Sequence, residues 1–269
     1  MSKELEEFIA AQAGLFGNKS ANLMVLDSLC KSSSNDGKVL VPNFFPLSHE
    51  ICTNHLDTYA SEWKDIWGKY LDSQRSHPGV LTNVDLDLLN NLRMLIEKTF
   101  QEHMLPEEVL NSYLSTLDSG DLLMVRSSGK EDSQDLANPG GNISLASIEP
   151  TLQSVSTAIG KVVASYFSEK SLQQRLKGND DITSSPLMSV LIQKMVGEKS
   201  SDELDKNVVY SGVMYTGNHG TTIHGAHGHG ELIVSGNRPY DSFYVTAENV
   251  VYREVMVKTH RMVPYNNSG

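Results

Sequence analysis

Cysteine is scarce in this sequence, and its scarcity limits the settings in which the protein is expected to work. The 269 residues include two cysteines, Cys30 and Cys52, and neither lies in a spacing typical of metal ligands. Disulfides persist in secreted proteins, whereas cytoplasmic proteins keep their thiols reduced. We therefore expect a cytoplasmic protein in which Cys30 and Cys52 are not bonded to each other.

Long apolar runs and excess positive charge are also missing. The apolar runs are short, as in Val190–Ile192, and all fall far short of the roughly 20 residues that a membrane-spanning helix needs. Residues 1–7 have neither the basic start nor the apolar core of a secretory signal. The formal net charge of -11 argues against general affinity for nucleic acid or anionic membranes, because both need a basic surface. A nucleotide is still compatible with this charge, since it needs only a few local cations and backbone N–H donors.

Hydrophobic spacing predicts helices in the first two thirds of the chain and strands in the last third. Helical spacing is found around residues 4–29, 56–70, 88–100 and 152–167, and Thr82 with Asp85 fits a capping box. Short apolar runs predict strands at 39–41, 122–125, 190–193, 208–215 and 231–234. This order predicts an α+β fold rather than a regular parallel βαβ fold. We expect one domain over 1–269, with a helical part at about 1–120, a second part at about 121–196 and a strand-rich part at about 208–269.

A lysine follows a glycine turn within Gly17–Leu23. The first helix is expected to be interrupted at Gly14 and Gly17 and to resume at Ser20, which places Lys19 at a new helix start. There its side chain and the helix N–H groups can point at a phosphate. The segment is not a Walker A loop, because the glycine spacing does not match. A surface lysine after a helix break explains the same residues, and the segment alone favours that interpretation.

An arginine follows the strand predicted at 122–125. Arg126 precedes the small hydroxyl residues Ser127 and Ser128, and its planar guanidinium can bind phosphate oxygens in a bidentate manner. Pairing with a nearby carboxylate explains the arginine equally well.

Two glycines and a hydroxyl residue follow in 138–144. Gly140 and Gly141 allow a backbone to approach a phosphate closely, and Ser144 adds a hydrogen-bond donor. A Pro-Gly turn between strands is an equal alternative.

Two further segments carry candidate binding residues. Gln193 and Met195 lie at the end of the strand predicted at 190–193, where such a segment can run along an adenine; an ordinary strand end is the alternative. His227, His229 and Glu231 alternate in a glycine-rich stretch and suggest a metal site. We predict no metal there, because we expect this stretch to be a loop without a helix or strand to hold the ligands.

The order of these segments resembles the phosphoenolpyruvate synthase and pyruvate phosphate dikinase family. The matching segments are Gly17–Leu23 (GGKaaNL in the family), Val41–Phe44 (VPpGF), Val125–Asp132 (VRSSatxED), Ile192–Val196 (VQkMV), Ser211–Thr216 (SGVmFT) and Gly228–Gly236 (GLGExVVSG). Tyr240–Phe243 matches the step that follows the last of these. The resemblance covers Gly17 to about Val245.

The resemblance implies an ATP-grasp fold, in which two lobes hold ATP in a cleft between them. By the same resemblance, Lys19 and Arg126 bind the ATP phosphates on opposite sides of that cleft. The loop with Gly140, Gly141 and Ser144 covers the phosphates, and Gln193 and Met195 lie beside the adenine and ribose. Glu231 matches the glutamate of the GLGE motif, so it is also expected to contact the nucleotide.

The family's acidic metal-binding strand has no counterpart before Gly269. The resemblance therefore implies a domain truncated at its C-terminal end, with Mg²⁺ ligands beyond Gly269. It also implies downstream domains that carry a phosphoryl-accepting histidine and bind pyruvate or a related acceptor, such as an antibiotic or a glucan. A non-catalytic nucleotide-binding or protein-interaction module is the alternative, and this span alone is expected to be inactive.

Overall fold

The structure is a computed structural model, which describes residues 3–32, 39–118, 120–129, 142–177, 188–196, 210–217, 219–228, 230, 233, 239–246 and 251–257. The chain divides into two compact units, Met1–Met195 and Val196–Gly269. The parts expected at about 1–120 and 121–196 both fall within the first unit. The architecture is α+β, as the order of apolar patterns predicts.

The described part of the first unit contains seven helices and one four-stranded sheet. The helices are α1 (Lys3–Ser32), α2 (His49–Tyr59), α3 (Trp63–Ser76), α4 (Asn83–Glu102), α5 (Glu107–Leu114), α6 (Leu152–Ser165) and α7 (Glu169–Lys177). The strands are β1 (Phe44–Leu47), β2 (Leu123–Ser128), β3 (Ser144–Ile148) and β4 (Ser189–Lys194). Their order in the sheet is β1-β4-β2-β3, and every neighbouring pair is antiparallel.

One face of this sheet and the helices form the hydrophobic core. Alternate residues of β2 and β4, among them Val125 and Ile192, are fully buried in one cluster with residues of α2 to α7. Helix α6 packs against both the sheet and α4, and Gly160 lets it approach closely, because a Cβ there would lie 2.6 Å from Phe100 Cβ. Because α6 packs against the buried face of the sheet, the side of α6 that faces the sheet is apolar.

The capping box predicted at the start of α4 is confirmed. The Thr82 hydroxyl accepts from the Asp85 N–H at 3.2 Å, and the Asp85 carboxylate accepts from the Thr82 N–H at 2.8 Å. The predicted helix over 56–70 is instead two helices, since the chain turns between Tyr59 and Trp63. There the Ala60 N–H donates to the Leu56 carbonyl oxygen and ends α2.

The strand predicted at 39–41 is wrong, and the first strand begins at Phe44. Val39 and Leu40 are 52% and 80% exposed, so no buried face holds them in a sheet. Pairing starts after Asn43, whose carbonyl oxygen accepts from the Lys194 N–H at 2.8 Å.

The described part of the second unit is an antiparallel meander of β5 (Tyr210–Gly217), β6 (Gly220–His227), β7 (Asp241–Thr246) and β8 (Val251–Glu254). The prediction that the glycine-rich stretch forms a loop is therefore partly wrong, because this stretch is a strand as far as His227. Gly225 permits this, since the Tyr210 ring occupies the space that a side chain there would need. The strand predicted at 231–234 lies outside the described residues except for Ile233. No helix in the described ranges is long and apolar enough to cross a membrane.

Helix α1 breaks at Gly17, where it docks on the end of β2. Gly17 adopts φ 75° and ψ 165°, a conformation essentially restricted to glycine. A Cβ at this position would collide with the Ser128 carbonyl oxygen. The Ser128 hydroxyl donates to the Phe16 carbonyl oxygen at 2.7 Å and accepts from the Ser20 N–H at 3.0 Å. The interruption predicted at Gly17 is confirmed, whereas Gly14 stays helical.

We predict that Gly17→Ala lowers the free energy of unfolding by at least about 2 kcal/mol, because both the backbone conformation and the contact with Ser128 exclude a side chain. Gly14→Ala is the matched control in the same helix. Gly14 is helical with open space around it, so alanine there should raise stability by about 0.5–1 kcal/mol. Denaturant unfolding of both variants checks this, and equal effects would contradict the docking role of Gly17.

We predict that the two thiols differ in reactivity in the folded protein. Both are free; Cys30 is partly exposed, while burial raises the pKa of the Cys52 thiol to about 12. A thiolate-selective disulfide reagent should therefore modify one thiol quickly and the second only after denaturation. Cys30→Ser should abolish the fast reaction. Two fast thiols, or fewer than two in total, would contradict the prediction.

Candidate nucleotide site

Arg126 and Gln193 lie on the sheet face opposite the hydrophobic core. Arg126 on β2 pairs with Leu191 on β4, and Gln193 pairs with Met124, so alternation puts all four on one face. Arg126 Nη1 donates to Gln193 Oε1 at 3.4 Å, the diagonal contact expected between such neighbours. Two residues that are distant in sequence thus share one half-buried surface, which we call the site face.

The docked turn of α1 brings Lys19 to the same end of the sheet. On either side of Lys19, the Asn18 N–H donates to the Gly129 carbonyl oxygen at 3.1 Å and the Ser20 N–H donates to the Ser128 hydroxyl. Ser128 follows Arg126 by two positions on β2, so it lies on the site face. Lys19 and Arg126 are both half-buried, and the backbone on either side of Lys19 is bonded to the end of the strand that carries Arg126.

One part of the sequence interpretation of this turn needs correction. The helix N–H groups were expected to point at a phosphate together with the lysine. The N–H groups of Asn18 and Ser20 instead bind the end of β2. These two amides therefore fix the turn in place and are not available to an anion.

Ser144 lies opposite Arg126 on the neighbouring strand. The two are paired in the β2–β3 register, and Ser144 is exposed at the start of the edge strand β3. Gly140 and Gly141 lie outside the described residues. The chain directly after them is held by two hydrogen bonds, from Ser171 Oγ to Asn142 Oδ1 at 2.8 Å and from the Ile143 N–H to Ser165 Oγ at 3.2 Å.

Met195 continues the line of the site face past the end of β4. Its N–H donates to the Leu122 carbonyl oxygen at 2.8 Å, which extends the pairing with the β2 side. Met195 is half-buried, and Met124 lies beside Gln193. Sequence analysis missed Met124, although alternation back from Arg126 on the predicted strand would have identified it.

Lys194 lies between Gln193 and Met195 in sequence, but its side chain is on the opposite face of the sheet, the face of Leu123. It forms an ion pair with Asp121 at 2.7 Å. Burial alone would raise the pKa of Asp121, but hydrogen bonds from Lys194 and from the Asp118 N–H, together with the lysine charge, hold it below its ordinary value. Lys194 is therefore committed to a structural ion pair on that face, whereas Gln193 lies on the site face.

The residues of the site face do not form a metal centre by themselves. Arg126, Gln193, Ser144 and Lys19 contain no carboxylate, and Mg²⁺ prefers oxygen ligands that include carboxylates. Within the described ranges, no three His, Cys, Asp or Glu residues are grouped so that they could hold a metal ion. His229 and Glu231 lie outside the described residues.

Comparison with known proteins places the chain in a family. A comparison with curated proteins found no match to the chain. The family model described as pyruvate phosphate dikinase, AMP/ATP-binding domain matches residues 13–269, a span that includes every residue of the site face. Because the match covers nearly the whole sequence, the chain belongs to the pyruvate phosphate dikinase AMP/ATP-binding domain family.

Proposed function

We propose that ATP binds along the site face, with its phosphates at Lys19 and Arg126 and its base at Gln193 and Met195. The observation that supports this most strongly is the Arg126–Gln193 hydrogen bond beside the docked Lys19 turn. At its Ser189 end the face is covered by α1, since the Ser189 hydroxyl donates to the Leu15 carbonyl oxygen at 2.8 Å, and the half-buried part extends from Arg126 and Gln193 to Met195.

The phosphate end has the chemistry that a triphosphate requires. Arg126 offers a planar fork for phosphate oxygens, and Lys19 adds a point charge. Ser144, paired with Arg126, supplies a hydroxyl from the edge strand. We propose that Gly140 and Gly141 cover these phosphates and that Glu231 also contacts the nucleotide, as the family resemblance implies.

The base end combines apolar surface with one amide. Met124 and Met195 offer polarizable side chains on which a flat ring can lie. Gln193 can both donate and accept hydrogen bonds, and its carbonyl oxygen is oriented by Arg126. This mixture suits an adenine with its ribose.

We propose that the domain has an ATP-grasp fold and serves a longer cytoplasmic phosphotransferase. In that enzyme a phosphoryl group would leave ATP, attach to a histidine of a downstream domain and then pass to pyruvate or a related acceptor. Lys19 and Arg126 would stabilise phosphate charge during transfer, which is where most phosphoryl-transfer catalysis lies. Magnesium would accompany the nucleotide and neutralise its charge.

A second candidate is a non-catalytic nucleotide-binding module, or a related dikinase acting on an antibiotic or a glucan. The absence of carboxylates among the described residues of the site face favours the non-catalytic form. Incubation with radiolabelled ATP and the downstream domains separates these possibilities. Label on a histidine indicates transfer, whereas binding without transfer indicates the module.

We predict that Arg126→Ala weakens ATP binding by about 1.5–3 kcal/mol, or roughly 10- to 150-fold, because a charge-assisted contact to phosphate is lost. Arg75→Ala is the matched control, since Arg75 forms an exposed pair with Asp72 on α3. Calorimetric titration of ATP into both variants checks the prediction. Equal affinities of the two variants would exclude Arg126 from the site.

We predict that Lys19 and Arg126 act on the same phosphate group. If they do, the effects of Lys19→Ala and Arg126→Ala on ATP affinity should be non-additive, with a coupling energy of at least about 0.5 kcal/mol. Neither substitution should change adenosine affinity, because adenosine lacks phosphates. Strictly additive losses would indicate that the two cations serve different groups.

A further inference from the structure

Ser147 has a backbone conformation that non-glycine residues rarely adopt. Its φ is 59°, and no other non-glycine residue in the described ranges has a positive φ. The left-handed region is disfavoured by the Cβ atom, and asparagine, aspartate and glycine tolerate it better than serine does. Such a residue persists only where the surrounding structure imposes the conformation.

The conformation belongs to a β-bulge at one defined place on the site face. In the β2–β3 register Leu123 pairs with Ile148 and Val125 with Leu145, so Ala146 and Ser147 together face Met124. Met124 in turn pairs with Gln193 on β4. The bulge therefore lies at the proposed base end, while the regular Arg126–Ser144 pair lies at the phosphate end.

The bulge directs the Ser147 N–H at Met195. This N–H donates to the Met195 sulfur at 3.1 Å. A thioether sulfur is a weak acceptor, so the contact gives little reason to retain a disfavoured conformation. Its geometric effect is larger: it fixes one end of a flexible side chain that otherwise has three rotatable bonds. Bulges next to binding sites commonly re-aim side chains in this way.

We propose that Ser147 is a positioning residue for the nucleotide base, holding Met195 so that Met195 and Met124 form one apolar platform beside Gln193. The inference rests on the proposed function, because it assigns the base to this end of the site face. It adds that base recognition depends on the left-handed backbone at Ser147, whereas phosphate recognition does not.

The test separates base binding from phosphate binding. Calorimetry measures the affinity of ATP and of inorganic tripolyphosphate, which has no base, for Ser147→Val, Ser147→Gly and the control Ala146→Val. Valine is β-branched and strongly disfavours the left-handed region, whereas glycine adopts it readily. Ala146 is an exposed neighbour in the same bulge and has no positive φ.

The proposal predicts that substitution of Ser147 changes the affinity for ATP but not the affinity for tripolyphosphate. Ser147→Val should weaken ATP at least about tenfold, equivalent to about 1.4 kcal/mol, and leave tripolyphosphate affinity unchanged. Ser147→Gly should keep ATP affinity and raise the melting temperature, and Ala146→Val should behave like the unmodified chain. If Ser147→Val does not fold, Met195→Ala replaces it with the same expected split.

Three outcomes would overturn the proposal. They are unchanged ATP affinity in Ser147→Val, equal weakening of both ligands, and equal loss in Ala146→Val. Failure of the proposed function is distinguishable, because Arg126→Ala would then leave ATP affinity unchanged. In that case the assignment of Ser147 to a nucleotide base fails as well.

Discussion

The contact between the Gly17 turn and Ser128 is the constraint on which the rest of the candidate site depends. One hydroxyl accepts from the Ser20 N–H and donates to the Phe16 carbonyl oxygen, so it joins the two halves of α1 to the end of β2. Only glycine fits at the point of closest approach, because the Ser128 backbone fills the space for a Cβ. This contact carries the lysine turn to the strand of Arg126. Two further hydrogen bonds, from the Asn18 N–H to the Gly129 carbonyl oxygen and from the Ser189 hydroxyl to the Leu15 carbonyl oxygen, hold α1 on the same sheet.

Strand alternation then separates structural from candidate binding residues. Val125 and Ile192 enter the core, while their neighbours Arg126 and Gln193 stay on the site face and hydrogen-bond to each other. Lys194 follows the same rule, and its charge is engaged by Asp121 on the other side. A short run of sequence thus serves both stability and the candidate site, and neighbouring residues have different roles for geometric reasons.

Much of this could be predicted from sequence where the signal is local. The capping box of α4 and the break at Gly17 depend on nearby residues, and both were predicted from them. The start of β1 was not, because it depends on pairing between Asn43 and Lys194, far apart in the chain. Strand β6 was not predicted, because Gly225 within it has a low strand propensity. In the structure Gly225 lies in the strand with the Tyr210 ring of β5 packed beside it, a contact between strands that the local sequence does not reveal. The bulge at Ser147 arises from register against β2, which no local pattern encodes.

The most direct test of the account is a crystal structure of this chain with a non-hydrolysable ATP analogue. The account predicts that the triphosphate lies within hydrogen-bonding distance of both Lys19 and Arg126. It also predicts that the base lies beside Gln193, Met195 and Met124. A nucleotide bound elsewhere, or Lys19 and Arg126 side chains pointing into separate regions, would contradict it even with the fold unchanged.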